Sequence, residues 1–277
     1  MFPKSVVRIG RCVSNAIFPM TCAACGRLID PGANVSQTET TDPAGLLPET
    51  VFRQTMKEHL CPYCLENFTP LLSPCCTRCG EPFKSRLGED HLCSDCITRK
   101  KHFVFARAFA VYEGAILELI HTYKYKGRTR LAKPLAALLY DTFIRHFSKA
   151  GIDTAIAVPL HEKRLRNRGF NQAHLMIRHW HKILQDNTQR SNPEITVETG
   201  SLVRRKNTVT QTGLERSQRI KNIKNAFAVK SFEQIAGKTV LLVDDVFTTG
   251  STVEECARVL DNAGAAGIYV LTLARAV

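Results

Sequence analysis

The sequence predicts an α/β protein, a parallel sheet flanked by helices and preceded by a cysteine-rich metal-binding region. Three observations predict it. First, a short apolar run followed by a polar loop and an amphipathic helix occurs at residues 240–260 and again at 154–184, the alternation that builds parallel sheets. Second, ten of the 11 cysteines stand before residue 97. Third, charge divides near the same place. Residues 1–100 carry 11 Lys+Arg against 10 Asp+Glu and residues 101–277 carry 27 against 15, so +12 of the net +13 lies in the second part. At roughly 150 residues per domain the chain suggests two units, taken as 1–100 and 101–277.

From the amino terminus, Arg8 and Arg11 interrupt the apolar residues of 1–20. This stretch therefore lacks a signal-peptide core and reads as a short amphipathic helix with Val6, Val7, Ile9 and Val13 as packing residues. No run approaches the ~18 apolar residues of a membrane span, and a cytoplasmic location is expected. Four C-x-x-C pairs follow: Cys22/Cys25, Cys61/Cys64, Cys76/Cys79 and Cys93/Cys96. Two thiolates at that spacing reach one tetrahedral Zn²⁺, and four complete its shell. In a reducing compartment such pairs are metal ligands more often than disulfides. Consecutive pairing gives two structural Zn²⁺ sites, Cys22, Cys25, Cys61, Cys64 and Cys76, Cys79, Cys93, Cys96. Interleaved pairing of Cys22/Cys25 with Cys76/Cys79 satisfies the same count, and Cys75 competes with Cys76, so spacing leaves the partition open. His59 and His91 read as surface residues, and Cys12 and Cys256 as apolar packing. Residues 30–58 open on D-P-G and run through S-Q-T-E-T-T-D-P. That composition buries little and predicts a mobile insertion, with a short helix at 51–60 leading into the second pair.

Beyond His102, Ala106–Tyr112 reads as a strand through Phe109, Val111 and Tyr112. Ala115–Tyr123 and Leu131–Phe147 have apolar residues at helical spacing, the latter with Leu135, Leu138, Leu139 and Phe143 on one side. Between them lies Tyr123-Lys124-Tyr125-Lys126-Gly127-Arg128, a basic joint whose tyrosines either stack on a ligand or pack. Thr154–Pro159 is a strand running into the loop 160–172 and the helix 173–184. Residues 187–193 form a polar linker, 195–197 a strand near an edge, and 229–232 the end of a further edge strand. Ile268–Ala274 is the terminal strand. The pattern gives five or six strands with Leu241, Leu242, Val243, Ala157, Val158, Val270, Leu271 and Leu273 in the core.

The stretch organising all of this is Lys238–Leu260. An apolar strand, Val240–Val243, meets Asp244 and Asp245. A hydroxyl-rich loop, Thr248–Thr252, precedes a helix with Val253, Cys256, Ala257 and Leu260 on one face. Backbone N–H groups at a helix start, with Thr and Ser hydroxyls, suit a phosphate. The two carboxylates do not suit that same phosphate, but they suit ribose hydroxyls or a metal carrying a second phosphate.

The ten residues V-D-D-V-F-T-T-G-S-T resemble the 5-phosphoribosyl-1-diphosphate (PRPP) signature of type I phosphoribosyltransferases, and the whole chain resembles their ComF branch. The resemblance implies a type I phosphoribosyltransferase-like sheet. It implies that Asp244 and Asp245 meet the ribose hydroxyls and that Thr248, Thr249, Gly250, Ser251 and Thr252 hold the 5-phosphate. It implies too that Lys124, Lys126, Gly127 and Arg128 meet the diphosphate, with Mg²⁺ accompanying PRPP. The string R-x-x-x-R-G-F-N-Q from Arg164 through Arg168 to Gln172 resembles a ComF hallmark. The segment R-x-x-x-T-x-x-Q-x-x-L-x-x-x-x-R-x-x-N, from Arg204 to Asn222, resembles the mobile hood of the wider family. Arg164, Arg168, Arg204, Arg216 and Arg219 are the candidate nucleic-acid contacts. Purine-salvage members carry an Asp where Thr248 stands, and a threonine has no comparable acid–base chemistry, so purine salvage is not expected. The expected function is PRPP binding together with handling of single-stranded DNA during DNA uptake and natural transformation, alongside other DNA-uptake proteins. The alternative is phosphoribosyl transfer from PRPP to an unidentified acceptor. A basic second domain is compatible with phosphate-rich partners of either kind.

Overall fold

The computed structural model describes residues 20–29, 41–42, 45–85, 87–178, 180, 195–208 and 216–277. In chain order its elements begin with strands β1 (Thr41–Asp42) and β2 (Gly45–Leu46) and helices α1 (Pro48–Met56), α2 (Pro62–Glu66) and α3 (Ser94–Thr98). There follow β3 (Ala106–Val111), α4 (Gly114–Tyr125), α5 (Ala132–Phe147), β4 (Thr154–Ala157), α6 (Glu162–Arg168), α7 (Gln172–Ile177) and β5 (Thr196–Glu198). The last are β6 (Leu202–Arg204), α8 (Arg216–Ile223), β7 (Phe227–Val229), β8 (Thr239–Phe247), α9 (Ser251–Asn262) and β9 (Gly267–Arg275).

Strands β3, β9, β8, β4 and β5 form one sheet in that spatial order, every neighbouring pair parallel. Successive residues of a strand point to opposite faces, and both faces here are buried. Leu241 and Val243 of β8 join a core with α4, α5 and α7, whereas Val240 and Leu242 join a second core with Val253, Cys256 and Leu260 of α9. Burial on two sides is why these strands read as unbroken apolar runs instead of alternating ones. Of the expected core residues, Leu241, Leu242, Val243, Val270, Leu271 and Leu273 are fully buried and Val158 nearly so. Ala157 is only half-buried, because β4 ends there.

Several local expectations are corrected. Strand β8 does not stop at Val243 but runs to Phe247, held by pairing with β9 as far as Arg275. The expected edge strand near 229–232 is instead β7, paired antiparallel with β6 in a separate two-stranded sheet. Residues 195–197 do supply the edge strand β5 beside β4. Part of the segment expected to be mobile is helix α1, whose Phe52 and Met56 are fully buried and whose Phe52 stacks on Phe68 at 4.1 Å. Apolar residues four apart give that helix one inward face. Residues 30–40 and 43–44, and the amino-terminal helix expected within 1–20 apart from Met20, lie outside the described residues.

The cysteine-rich region wraps the β3 edge of the sheet. The Leu71 N–H donates to Phe109 O (3.3 Å) and the Val111 N–H to Thr69 O (3.0 Å), so the chain between the second and third cysteine pairs runs antiparallel along β3. An exposed sheet edge offers unpaired N–H and C=O groups to other chains, and this segment covers part of it. The first cysteine group belongs to the core on one face of the sheet and the second to the core on the other.

Candidate functional site

Asp244 and Asp245 lie in the last part of β8, at the carboxyl end of the sheet, where α/β proteins gather ligand-binding loops. Asp245 is buried, and its Oδ1 pairs with Lys124 Nζ at 2.7 Å. The Asp245 N–H donates to Asp244 Oδ1 at 2.8 Å. Burial, then the adjacent Asp245 carboxylate, pushes Asp244 up to about 7, against the pull of Lys124 and Arg204. Burial alone depresses the Lys124 ammonium, but Asp245 outweighs it and the net direction is upward. Lys124 is thus charged, standing in the last turn of α4 with Lys126, Gly127 and Arg128 just beyond. Lys126 and Gly127 are exposed, and Arg128 is half-buried.

The loop after β8 is tight. Gly250 has φ +75°, and a Cβ there would sit 2.6 Å from Phe247 Cζ. Glycine is required on both counts, left-handed backbone and lack of space. Thr249 Oγ1 and Ser251 Oγ are 2.7 Å apart, so the hydroxyls already form a polar cluster at the start of α9. Thr248 and Thr252 flank them, both half-buried.

A basic group surrounds the acid pair. His161 caps α6, accepting from the Lys163 N–H at 3.2 Å, and Asn171 caps α7, accepting from the His174 N–H at 3.2 Å. These caps set the R-x-x-x-R-G-F-N-Q string as two short helices around Gly169. Arg164 Nη2 donates to Thr208 O (2.8 Å), and Arg168 Nη1 to Gln172 Oε1 (2.6 Å). Phe170 is half-buried and packs near Tyr123, whose own side chain is fully buried and donates to Gln172 O, so Tyr123 is a packing residue. Tyr125 is exposed beneath the Arg168 guanidinium. Arg204, expected on an open groove wall, is 9% exposed, bonded to Thr208 Oγ1 and lying over Phe227. Burial, then Arg164, lowers its pKa. Arg216 and Arg219 lie on α8, but their side chains lie outside the described residues. Two buried polar atoms in this neighbourhood have no hydrogen-bond partner, Asp245 Oδ2 and Arg204 Nε. Unsatisfied buried groups are costly and uncommon, and these fit a crevice that takes a polar ligand.

The cysteines form two groups, Cys22, Cys25, Cys61, Cys64 and Cys76, Cys79, Cys93, Cys96, with sulfurs within 4.8 Å of one another in each. Consecutive pairing is therefore correct and interleaving is not. Cys75 stands apart, its N–H bonded to Asp90 Oδ1. His59 and His91 belong to neither group; His59 is half-buried rather than a surface residue, and the exposed His91 stacks on Phe83. The two groups repeat one design. The Gly26 N–H donates to Cys22 O (3.0 Å) and the Gly80 N–H to Cys76 O (2.9 Å), while Cys61 and Cys93 each precede a short helix. Burial alone would raise Cys22 and Cys76, but backbone N–H donors outweigh it and bring both to about 7. Among those donors, the Cys79 and Cys93 N–H groups reach Cys76 Sγ at 3.4 and 3.3 Å. Four sulfurs with N–H donors aimed at them fit structural Zn²⁺, whose chemistry here is to cross-link the chain.

One connection has no local signature in the chain. Arg275, nearly buried at the end of β9, donates to Cys79 O (2.8 Å) and approaches Glu81 Oε2 (3.4 Å), and its guanidinium lies 4.4 Å from the Phe247 ring centre. Phe247 is the ring that fills the space beneath Gly250. A run of contacts thus joins the second cysteine group to the hydroxyl-rich loop. Cys79 and Arg275 are 196 residues apart, and no local pattern marks them as partners.

Comparison with known proteins agrees with both halves of this description. The phosphoribosyl transferase domain family matches residues 187–276, and the double zinc ribbon domain family matches residues 52–97. The DNA utilization protein YhgH of Escherichia coli K12 is 32% identical over 204 residues, covering 72% of this chain and 83% of that protein. Competence protein F of Haemophilus influenzae is 31% identical, covering 79% and 92%. Competence protein ComFC of Streptococcus pneumoniae is 26% identical, covering 72% and 87%. At that identity and coverage the chain belongs to the ComF family of competence proteins, in which a double zinc ribbon is joined to a phosphoribosyltransferase-like α/β domain.

Proposed function

We propose that the protein binds PRPP at the acid pair and handles single-stranded DNA during DNA uptake and natural transformation. The observation that carries the reading is the Lys124–Asp245 pair at the carboxyl end of β8, which puts a cation and two carboxylates just ahead of the hydroxyl cluster of the Gly250 loop. In this reading Asp244 and Asp245 accept from the ribose hydroxyls, and Thr248–Thr252 supply hydroxyl and backbone donors to the 5-phosphate. Lys124, Lys126 and Arg128 offset the charge of the diphosphate, with Gly127 allowing its close approach. Mg²⁺, when bound with PRPP, neutralises diphosphate charge. Arg164, Arg168, Arg216 and Arg219 are the proposed cationic contacts for a strand, and Arg204 supports that surface from beneath. The names of the relatives, DNA utilization and competence proteins, support the DNA half of the reading. Transfer of the phosphoribosyl group to an unidentified acceptor is the second reading. The same crevice favours it, and the hydroxyl of Thr248 where an acid would handle the base proton weighs against it.

Calorimetry with PRPP and Mg²⁺ tests the first half. Wild type should bind. Gly250→Val, whose side chain collides with Phe247, and Asp244→Asn with Asp245→Asn should each lose affinity at least tenfold. Unchanged affinity in both would refute the assignment. A parallel titration with an oligonucleotide should show salt-dependent binding, and diphosphate release across a panel of nucleobases would promote the transferase reading instead.

A further inference from the structure

A cleft opens on the hydroxyl-rich loop, with Thr249, Gly250 and Ser251 in its lining, and does not take in the acid pair or Lys124. It encloses about 480 Å³ between the exit of the second zinc ribbon, the carboxyl end of α8 and the first turns of α9. That volume lies within the range of about 300–1,000 Å³ typical of ligand pockets. Ile220 gives the cleft its exposed apolar surface, over the buried Phe103, Phe247 and Ile223, and the rings of the two phenylalanines meet edge to face. Five cations also line it. Arg99 and Lys101 are paired with Asp95, and Arg258 with Glu255. Lys100 and Lys224 are exposed and, among the described residues, have no acidic partner. Two acids line the cleft as well. Both oxygens of Glu255 are engaged, by the Asn225 N–H and by Arg258, and Glu254 is bonded through Oε1 to His102. The surplus charge is therefore positive and sits above an apolar surface.

We propose that this cleft seats single-stranded nucleic acid, a base ring resting on Ile220 and the adjoining phosphates meeting Lys100 and Lys224. Rings with a π-face and a phosphate at each step are the ligand that a basic rim over an apolar bed matches. The inference rests on the DNA-handling reading and deepens it. The strand lies on the ribbon side of the hydroxyl-rich loop, and PRPP lies on the Asp244–Lys124 side. Phe247 and the loop residues Thr249, Gly250 and Ser251 all line this cleft, so the strand and PRPP would meet at the hydroxyl-rich loop, while Lys100 and Lys224 serve the strand alone.

The test uses the full chain and a fluorescent ten-nucleotide oligothymidylate. In Lys100→Ala with Lys224→Ala, two phosphate contacts are lost, so the slope of log affinity against log salt should fall by about 1.4. Between 50 and 200 mM salt the variant should then lose about sevenfold less affinity than wild type. Lys133→Ala with Lys149→Ala, on the side of the sheet covered by α5, should leave the slope unchanged. PRPP affinity should be unchanged in both variants. Hydrogen exchange should show the oligonucleotide protecting 99–104, 220–225 and 249–251, and PRPP protecting 240–252 without 99–104 or 220–225. A wild-type slope retained in the Lys100/Lys224 variant would overturn this cleft while leaving DNA binding standing. Absence of binding to wild type would remove the DNA reading and this inference together. A parallel loss of PRPP affinity in the Lys100/Lys224 variant would overturn the assignment of these lysines to the strand.

Discussion

At the scale of single residues, the crevice is governed by how few polar atoms are left to water. Asp244, itself half-buried, is raised by desolvation and by the neighbouring Asp245 carboxylate. A carboxyl group whose folded value exceeds its unfolded value stabilises the fold when protonated, and that contribution is lost as pH rises from about 4 through about 7. Asp244→Asn removes this titration. The urea midpoint of wild type should therefore fall relative to the variant between pH 5 and pH 8, and parallel profiles would show that Asp244 is not raised. Much of this chemistry was legible from the ten residues of the motif, because an acid pair, hydroxyls and a glycine are adjacent in the chain. The Lys124 pairing was legible only as a basic joint, since its partner lies 121 positions away (245 − 124). The enclosure of Arg204 was not legible at all, because an arginine in a basic stretch reads as exposed until Phe227 and Thr208 are seen around it.

At the scale of elements, the long helices and strands were readable and the short ones were not. Helix α5 and strands β8 and β9 have enough apolar residues in period to declare themselves. Helix α1 has nine residues and a largely polar sequence, and what holds it is packing on α5 and on Phe68, which follows α2 in the chain. Strands β6 and β7 have three residues each and are defined by each other, across the intervening segment. Tertiary contact decides such elements more than their own composition does. The helix α1 packing gives a direct test. Phe52 is fully buried, so Phe52→Ala should cost about 3–5 kcal/mol, whereas Lys57→Ala on the exposed side should stay within about 0.5 kcal/mol. Urea denaturation followed by tryptophan fluorescence measures both, and equal effects would mean that α1 is not anchored.

At the scale of the whole molecule, the zinc ribbons and the sheet form a continuous structure. The C-x-x-C spacing made both metal groups legible, since each pair is local. It did not show that one group would join each face of the sheet or that the chain between them would line β3. Elemental analysis should find two Zn²⁺ per chain, and Cys76→Ser with Cys79→Ser should leave one. Because Arg275 holds Cys79 and lies against Phe247, that variant should also lose exchange protection at 245–251 and 272–275, well away from the substituted cysteines in sequence. Loosening confined to 75–97 would show that the ribbon and the hydroxyl-rich loop are independent. The strand order has a further consequence, for the sequence of events during synthesis. Strand β3 is made before the other four strands of the sheet, yet its one neighbour in that sheet among the described residues is β9, made last of the five, and β9 in turn bridges β3 to β8. While the ribosome is still adding residues 112–266, β3 is held on one side by the ribbon segment and has an unfilled place on the other. Its partner arrives only after four intervening helix-bearing segments have passed, so the growing chain carries one open strand edge while those segments are made, the interval in which unwanted pairing with neighbouring chains is easiest.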